Sequence, residues 1–221
     1  LPLAVISAGG ALIERAKKYS VPYVQLPSDG IQPRSAIGFS IKGLMALMRL
    51  EDDLRDISRL SRSLKPQTLM PSGRALAKRM KGRVPIVYSS NKNMALAYNW
   101  KIKLNETGKT PAFYNVFPEL NHNEMTGFES TKNGLARTFH FVFLNDSADH
   151  SKTKRRMDVT RKLYVKRGLR TEMSTLTGKY IFHKIFSNLL LADWTAYYTA
   201  ELYGLESEHV PMVEEFKKLI T

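Results

Sequence analysis

Short apolar runs alternate with longer segments of helical periodicity along most of the chain. Residues 3–7 are typical of a buried strand, residues 11–19 of a helix and residues 22–26 of a second strand. Strands that alternate with helices in this way indicate a parallel sheet covered by helices. The sequence therefore predicts an α/β fold.

A long helical segment separates this first unit from a second one of the same kind. Apolar residues keep helical spacing over residues 36–64, which predicts one long helix or two joined end to end, before Lys65-Pro66 breaks the pattern. We expect this segment to cross from one domain to the next. The later predicted helices are residues 75–80, 93–104, 146–166, 181–203 and 213–219, and the later predicted strands are residues 84–88, 111–117, 138–144 and 170–176.

The chain is strongly basic and has no cysteine. Its 221 residues carry a formal net charge of +14, which would suit either a nucleic acid or a phosphorylated metabolite as partner. The lack of cysteine excludes disulfides and thiolate metal sites, and a reducing cytosol is the simplest location. No apolar run approaches the roughly 20 residues of a membrane span. We therefore expect a cytoplasmic protein that does not enter the membrane.

Groups that can carry or share protons lie on both sides of the predicted strand 111–117. Glu106 precedes this strand at the end of a predicted helix, where the helix dipole disfavours a carboxylate. The polar residues that follow the strand are Glu119, Asn121, His122, Asn123 and Glu124. An exposed glutamate is the commoner interpretation of Glu106 by itself. The concentration of such groups against one strand nevertheless indicates an active-site segment.

His122 lies between two asparagines. Side-chain amides on either side could fix the tautomer of its ring, which a proton-transferring histidine requires, although a lone histidine is more often a structural residue. A metal site formed by His122, Glu119 and Glu124 is a weaker alternative, because their spacing matches no standard ligand pattern.

Two further places could hold an anion. Ser89 and Ser90 lie between a predicted strand and a predicted helix, where backbone amides and small hydroxyls can bind phosphate, although capping of the helix is the commoner role. Arg34 opens a predicted helix after a rigid loop and could bind phosphate or pair with an acid.

Residues 152–170 contain nine basic residues and one acidic residue, Asp158. A nucleic-acid site would be expected to interleave aromatic residues with these charges, and only Tyr164 does so. We therefore expect a solvated helix face here and no nucleic-acid partner.

Seven short motifs follow one another over essentially the whole chain. They are Ser-Ala-Gly-Gly, Leu-Pro…Gln-Pro-Arg-Ser-Ala, Val-Tyr-Ser-Ser, Asn-Glu, Pro-Glu-Leu-Asn-His-Asn-Glu, Leu-Leu-Ala-Asp-Trp and Glu-Glu-Phe-Lys-Lys-Leu. Together they resemble the bifunctional phosphoglucose/phosphomannose isomerase family, whose members contain two sugar isomerase (SIS) domains. The resemblance implies a three-layer αβα SIS fold. Residues 1–35 would then be the end of a first SIS domain, residues 36–66 a helical connector and residues 67–221 the second SIS domain.

The resemblance also implies an activity and assigns roles. The reaction would interconvert glucose 6-phosphate, and mannose 6-phosphate as a second substrate, with fructose 6-phosphate through a cis-enediol, without a metal or another cofactor. Glu106 would carry the proton between C1 and C2, and His122 would open the sugar ring in the site of the neighbouring subunit of a homodimer. Lys217, or Lys218 if the register slips by one, would assist ring opening or stabilise negative charge. Arg34 would lie near the enediol oxygens.

Two departures from the family pattern limit these expectations. The family's phosphate loop, of the type Ser-x-Ser-Gly-Asn-Thr, does not occur in the chain, which begins without methionine in a predicted strand. We therefore expect a fragment with little activity alone. Val210 stands where the family often has threonine, a residue associated with room for both C2 epimers, which puts the mannose activity in question. A non-catalytic SIS module that senses a sugar phosphate is the main alternative.

Overall fold

The computed structural model describes residues 3–28, 30–132 and 134–220, and the chain forms two compact units, Leu1–Ser63 and Leu64–Thr221. In the first unit, two short parallel strands are joined by a helix, and further helices follow. Its elements are β1 (Val5–Ser7), α1 (Ala11–Lys18), β2 (Tyr23–Gln25), a 3-10 helix (Pro33–Ser35), α2 (Ile37–Leu47), α3 (Glu51–Ser58) and α4 (Leu60–Ser63). The predicted strand-helix-strand order of this region is confirmed.

Three helices replace the one or two expected over residues 36–64. Helix α2 ends where Arg49 adopts a left-handed backbone conformation with φ of 57°, and the N–H of Leu50 donates to the carbonyl of Met45 at 3.0 Å. This is a usual way for a helix to stop. All three helices belong to the first unit, so the boundary between units falls at Ser63, three residues before the predicted end of the connector.

The second unit carries a four-stranded parallel sheet. Its main elements are α5 (Met70–Met80), β3 (Val84–Ser90), α6 (Met94–Glu106), β4 (Phe113–Phe117), β5 (Phe139–Asp146), α7 (Ser151–Lys166), β6 (Arg170–Leu176), α8 (Ile181–Leu202) and α9 (Pro211–Ile220). Short 3-10 helices lie at Pro66–Leu69, Asn91–Asn93, Glu119–Asn121, Glu124–Phe128 and Leu135–Thr138. The strand order is β4-β3-β5-β6, with every neighbouring pair parallel.

Helices cover both faces of this sheet. Helix α7 packs on one face, where alternate residues of β3 and β5 such as Tyr88, Phe141 and Phe143 form an aromatic core with Tyr164. Helices α6 and α8 pack on the other face, and α5 packs against α8. Strands buried on both faces need almost continuous apolar runs, which is what β3 and β5 have. The predicted α/β arrangement, a parallel sheet between layers of helices, is confirmed.

The contact between α5 and α8 depends on a glycine. A Cβ added to Gly73 would lie 2.5 Å from the Cβ of Trp194, so no larger residue fits without moving one helix. The indole Nε1 of Trp194 donates to the carbonyl of Pro66 at 2.8 Å, which also fixes the start of this helix pair. Helix α5 thus begins at Met70, five residues earlier than the sequence pattern predicts.

The parallel strands divide the polar residues between two edges of the sheet. Because α6 returns from the end of β3 to the start of β4, residues between α6 and β4 lie at the amino edge of the sheet. Residues that directly follow β3, β4 and β5 lie at the carboxyl edge, where ligands of open parallel sheets usually bind. This division decides which predicted site residues can meet within one chain.

Candidate active site

Glu106 is the last residue of α6 and is half-buried at the amino edge of the sheet. Two fully buried side chains attach this helix to α8. The indole Nε1 of Trp100 donates to Oδ1 of Asn188 at 2.7 Å, and Nζ of Lys103 donates to Oδ1 of Asp193 at 2.5 Å. The Lys103 side chain is only 2% exposed. The helix turn that carries Glu106 is therefore held in place by a partly buried ion pair one turn earlier.

A cavity of about 610 Å³ opens beside Glu106. One wall is the end of α6 and the turn that leads to Phe113, the first residue of β4, and the other wall is the segment from Val210 to Val213. The lining is mostly apolar, with Glu106, Lys101 and Lys109 as its charged residues among those described. A largely apolar cavity of this size with few charged groups is typical of a small-molecule site.

Lys217 lies on the helix that starts at this cavity. Helix α9 begins at Pro211, so Lys217 is about 9 Å further along the helix axis at 1.5 Å per residue. Its side chain is exposed and forms an ion pair with Glu214 at 2.8 Å. Lys218 is the next residue of the same exposed helix. The structure thus brings Glu106 together with the start of the helix that bears both candidate lysines.

His122 lies at the opposite, carboxyl edge of the sheet. It directly follows the 3-10 helix Glu119–Asn121, which comes after β4. Strand β4, which starts beside the Glu106 cavity at Phe113, is about 13 Å long at 3.3 Å per residue. Its side chain is 84% exposed, with Nδ1 3.7 Å from Oε1 of Glu119. Within one chain, His122 and Glu106 therefore do not face the same cavity.

The segment that carries His122 is fixed by its neighbours. The hydroxyl of Tyr88 and the amide of Asn115 both donate to the carboxylate of Glu124. Burial raises the pKa of Tyr88, so its hydroxyl keeps its proton and remains a donor. Because Tyr88 is fully buried in the sheet, this contact anchors the exposed segment to the core.

The two asparagines beside His122 do not bond to its ring. The amide of Asn121 donates to Oγ1 of Thr160 at 2.7 Å, and the amide of Asn123 donates to Oε1 of Glu119 at 3.1 Å. The prediction that these amides fix the tautomer of His122 is wrong, because they serve the packing of the segment. In residues 3–28, 30–132 and 134–220, no three His, Asp or Glu side chains are grouped so that they could hold a metal ion.

Ser89 and Ser90 end β3 and do not lie in an open turn. Ser89 is fully buried and its hydroxyl donates to the carbonyl of Ser90 at 3.0 Å. The hydroxyl of Ser90 donates to Oδ1 of Asp149 at 2.7 Å, and Asn93 donates to the same carboxylate oxygen at 3.2 Å. A buried carboxylate would repel phosphate. This geometry gives no support to the predicted substrate-binding role of the two serines, and they do not cap α6 either.

A second carboxylate completes this buried network. Oδ1 and Oδ2 of Asp146 accept from Nζ of Lys184 at 2.9 and 3.0 Å, and Oδ1 also accepts from the N–H of Ala148 at 2.9 Å. Burial alone would raise the pKa of Asp146, but these hydrogen bonds outweigh it and lower the pKa below its ordinary value. The same turn explains why α7 begins at Ser151 and not at Asp146 as predicted.

Arg34 belongs to the first unit, in the 3-10 helix Pro33–Ser35. It is half-buried, and its Nη1 donates to Oε1 of Gln32 at 3.3 Å. The predicted role near the enediol oxygens stays a prediction.

The basic residues of α7 lie mainly on its exposed face. Met157, Thr160 and Tyr164 form the buried face that packs on the sheet. This agrees with the solvated helix face expected from the sequence.

In the part of the chain that the structure describes, no helix is both long and apolar enough to cross a membrane.

The protein-family model of the bacterial phospho-glucose isomerase C-terminal SIS domain matches residues 71–220 of this chain. A bifunctional phosphoglucose/phosphomannose isomerase from Caldicellulosiruptor bescii is 33% identical over 97% of this chain and 67% of its own length. This chain belongs to the bifunctional phosphoglucose/phosphomannose isomerase family. A relative of the same name from Aquifex aeolicus is 30% identical over 96% of the chain. The chain spans about two thirds of the length of these family members, 66% for the Aquifex protein.

Solved structures show the SIS fold of this family member. A glucose-6-phosphate isomerase like protein from Thermus thermophilus has a TM-score of 0.64 at 16% identity, covering 94% of this chain and 77% of that one. The tagatose-6-phosphate ketose/aldose isomerase from Escherichia coli has a TM-score of 0.60 at 16% identity, covering 93% of this chain and 61% of that one. At these identities the likeness concerns the fold alone.

Sequence reasoning missed the residues that support the site. Asp193 lies in the Leu-Leu-Ala-Asp-Trp motif, but nothing in the sequence pairs it with Lys103, 90 positions earlier. A lysine within an otherwise apolar helix face was the available signal. Lys109, three residues after Glu106, also lines the cavity and was not singled out.

Proposed function

We propose that this protein is an aldose–ketose isomerase that interconverts glucose 6-phosphate and fructose 6-phosphate. Membership of the isomerase family gives the reaction class, and the placement of Glu106 in the cavity from which α9 starts is the observation that carries the assignment. We propose that the sugar phosphate binds beside the Glu106 carboxylate in this cavity, and that Lys217 acts on it from the helix that starts there.

The residue types fit the chemistry. Moving a proton between C1 and C2 needs a carboxylate beside both carbons, and Glu106 is the carboxylate in the cavity. The enediolate that forms carries negative charge, which a fixed cation stabilises. Lys217 and Arg34 are the proposed cations. No step of this sequence requires a metal.

Ring opening needs a separate acid-base group, for which we propose His122. Because His122 lies at the other edge of its own sheet, the histidine that serves the Glu106 cavity would come from a second copy of the chain. Its exposed side chain and anchored segment suit such a role. The functional assembly is then a homodimer with two shared sites.

Val210 lines the same cavity as Glu106. A valine side chain has the size of threonine but offers no hydroxyl to a sugar oxygen. We therefore propose that mannose 6-phosphate is turned over more slowly than glucose 6-phosphate.

The decisive experiment compares Glu106→Gln with the unchanged protein, produced from its complete open reading frame. We expect kcat with glucose 6-phosphate to fall about 10²–10⁴-fold, the usual contribution of a general base, while binding of fructose 6-phosphate persists. Glu129→Gln is the matched control, because Glu129 is exposed and outside the cavity. Binding without turnover in the unchanged protein would indicate a sugar-phosphate sensor instead.

The same assay tests the finer parts of the proposal. Mannose 6-phosphate serves as the second substrate, and equal rates for both epimers would contradict the role given to Val210. The 221 residues alone are expected to show little activity, since the chain lacks the family's phosphate loop.

A further inference from the structure

Lys109 connects the two walls of the Glu106 cavity. Its Nζ donates to the backbone carbonyl of Glu106 at 2.6 Å and also to the backbone carbonyl of His209. Glu106 ends α6, and His209 directly precedes Val210. One ammonium group therefore spans from the catalytic end of α6 to the carboxy-terminal segment.

The turn after α6 is shaped to aim this side chain. Lys109 has a φ of 52°, a left-handed conformation that non-glycine residues seldom adopt. Gly108 comes so close to α6 that an added Cβ would lie 2.7 Å from the carbonyl oxygen of Leu104. The chain thus accepts an unfavourable backbone conformation at Lys109, which persists only when the surrounding structure enforces it.

The carboxy-terminal segment presents its carbonyl to Lys109 in an ordered turn. The carboxylate of Glu206 accepts from the N–H groups of Glu208 at 2.6 Å and of His209 at 2.7 Å. These two backbone hydrogen bonds lower the pKa of Glu206, so the carboxylate is ionised and holds the turn at neutral pH. The carbonyl of His209 is left available for the ammonium group.

Helix α9 has little apolar burial to hold it. Every residue from Pro211 to Ile220 is exposed, including Met212 at 81% and Phe216 at 59%. A helix that buries so little of its surface gains little from tertiary packing. Polar contacts at its start therefore carry more weight than they would for a buried helix.

We propose that Lys109 is a positioning residue that fixes the carboxy-terminal segment, with Val210 and α9, against the end of α6 that bears Glu106. The inference rests on the proposed function, because it assigns Lys109 the task of setting the distance between the catalytic carboxylate and the helix of Lys217. Lys109 acts through the two backbone carbonyls that it binds.

The test replaces Lys109 with methionine, which keeps the aliphatic stem and removes the ammonium. In the protein from the complete open reading frame, we expect amide hydrogen exchange over residues 207–213 to become about 10-fold faster or more, because local opening becomes easier. We expect kcat to fall about 10- to 100-fold while KM changes less than about 3-fold, since ground-state binding is kept. Lys109→Arg should restore most of kcat.

Lys81→Met is the matched control. Lys81 is exposed and follows α5 at the same edge of the sheet, outside the cavity, so both its exchange pattern and its kcat should equal those of the unchanged protein. Unchanged amide exchange in the Lys109→Met protein would show that Lys109 does not tether the carboxy-terminal segment to the end of α6. Faster exchange with an unchanged kcat would show that this tether does not position the catalytic groups. If the unchanged protein shows no isomerase activity, the proposed function fails, and the exchange measurement alone decides whether the tether exists.

Discussion

His140 is a titratable residue with an unusual environment at the start of β5. It is 3% exposed, and neither ring nitrogen has a hydrogen-bond partner among the described residues. Burial is the main cause that lowers its pKa to about 4; Glu172 opposes the shift, and nearby arginines add to it. The ring therefore stays neutral in the folded protein well below the pH at which a free histidine gains its proton.

This shift predicts a loss of stability in mild acid. The unfolded chain binds a proton near pH 6.5 and the folded chain only near pH 4, so stability is present above pH 6.5 and lost as the pH falls towards 4. Between pH 7 and pH 5 the loss is about 2 kcal/mol. The free energy of unfolding can be measured by urea titration at pH 7 and at pH 5. Its decrease between these pH values should be about 2 kcal/mol smaller in the His140→Leu protein than in the unchanged protein.

The control for this measurement is His122→Leu, which removes an exposed histidine. It should keep the full pH dependence of the unchanged protein. If the His140→Leu protein lost as much unfolding free energy between pH 7 and pH 5 as the unchanged protein, His140 would not be the cause of the acid destabilisation.

Predictability from the sequence differs among the site residues. Motif resemblance predicts Glu106 and Lys217 as site residues and marks Val210 as a departure linked to epimer preference. The structure places Glu106, Val210 and the start of the Lys217 helix at one cavity. The environment of Ser90 was not predictable, because its partner Asp149 lies 59 positions later in the chain and is brought to it only by the pairing of β3 with β5. A local pattern cannot show that a small hydroxyl will face a carboxylate.

Helix α6 is held against α8 by the partly buried Lys103–Asp193 pair. Removing one partner of such a pair leaves an uncompensated charge, which is strongly destabilising, whereas removing both is much less so. Asp193→Ala should therefore lower the free energy of unfolding by about 3 kcal/mol, with some reduction because the Asp193 side chain is 37% exposed.

A double-mutant cycle checks this prediction. Lys103→Met should cost less than Asp193→Ala, because methionine fills the site without a charge, and the double variant should recover most of the stability lost in Asp193→Ala. Urea unfolding supplies the four values. Additive effects of the two changes would show that the pair does not hold the helices together.

At the scale of elements, the sequence predicts the existence and type of helices and strands better than their ends. Strand β6 matches its prediction at both ends, and α8 differs by one residue. The helices over residues 36–64 differ more, because the apolar spacing continues through Arg49, whose left-handed conformation ends α2. Hydrophobic periodicity reports which face is buried and does not report a break in the backbone.

The proposed homodimer can be tested by mixing two inactive variants. Glu106→Gln and His122→Gln should each be inactive as homodimers, because each lacks one group in both sites. A mixed dimer keeps one complete site, formed by Glu106 of one copy and His122 of the other. Random assortment in a co-expressed sample should therefore restore about a quarter of the sites.

Activity of the co-expressed sample relative to the unchanged protein gives the result. If the sample contains mixed dimers but stays inactive, Glu106 and His122 of one site come from the same chain. Glu106→Gln mixed with Glu129→Gln is the control, since the fraction of active sites there should be about one half.

If the proposed shared site is correct, the length of β4 between the turn after Glu106 and the segment of His122 makes catalysis depend on protein concentration. If neither copy holds a full set of acid-base groups, chains that have not yet paired are folded but inactive. Such chains would predominate when the protein concentration is low, as it is early in synthesis. Turnover would then rise more steeply than protein concentration until the copies are paired. The gene dosage of this protein would set not only how much enzyme exists but what fraction of it works.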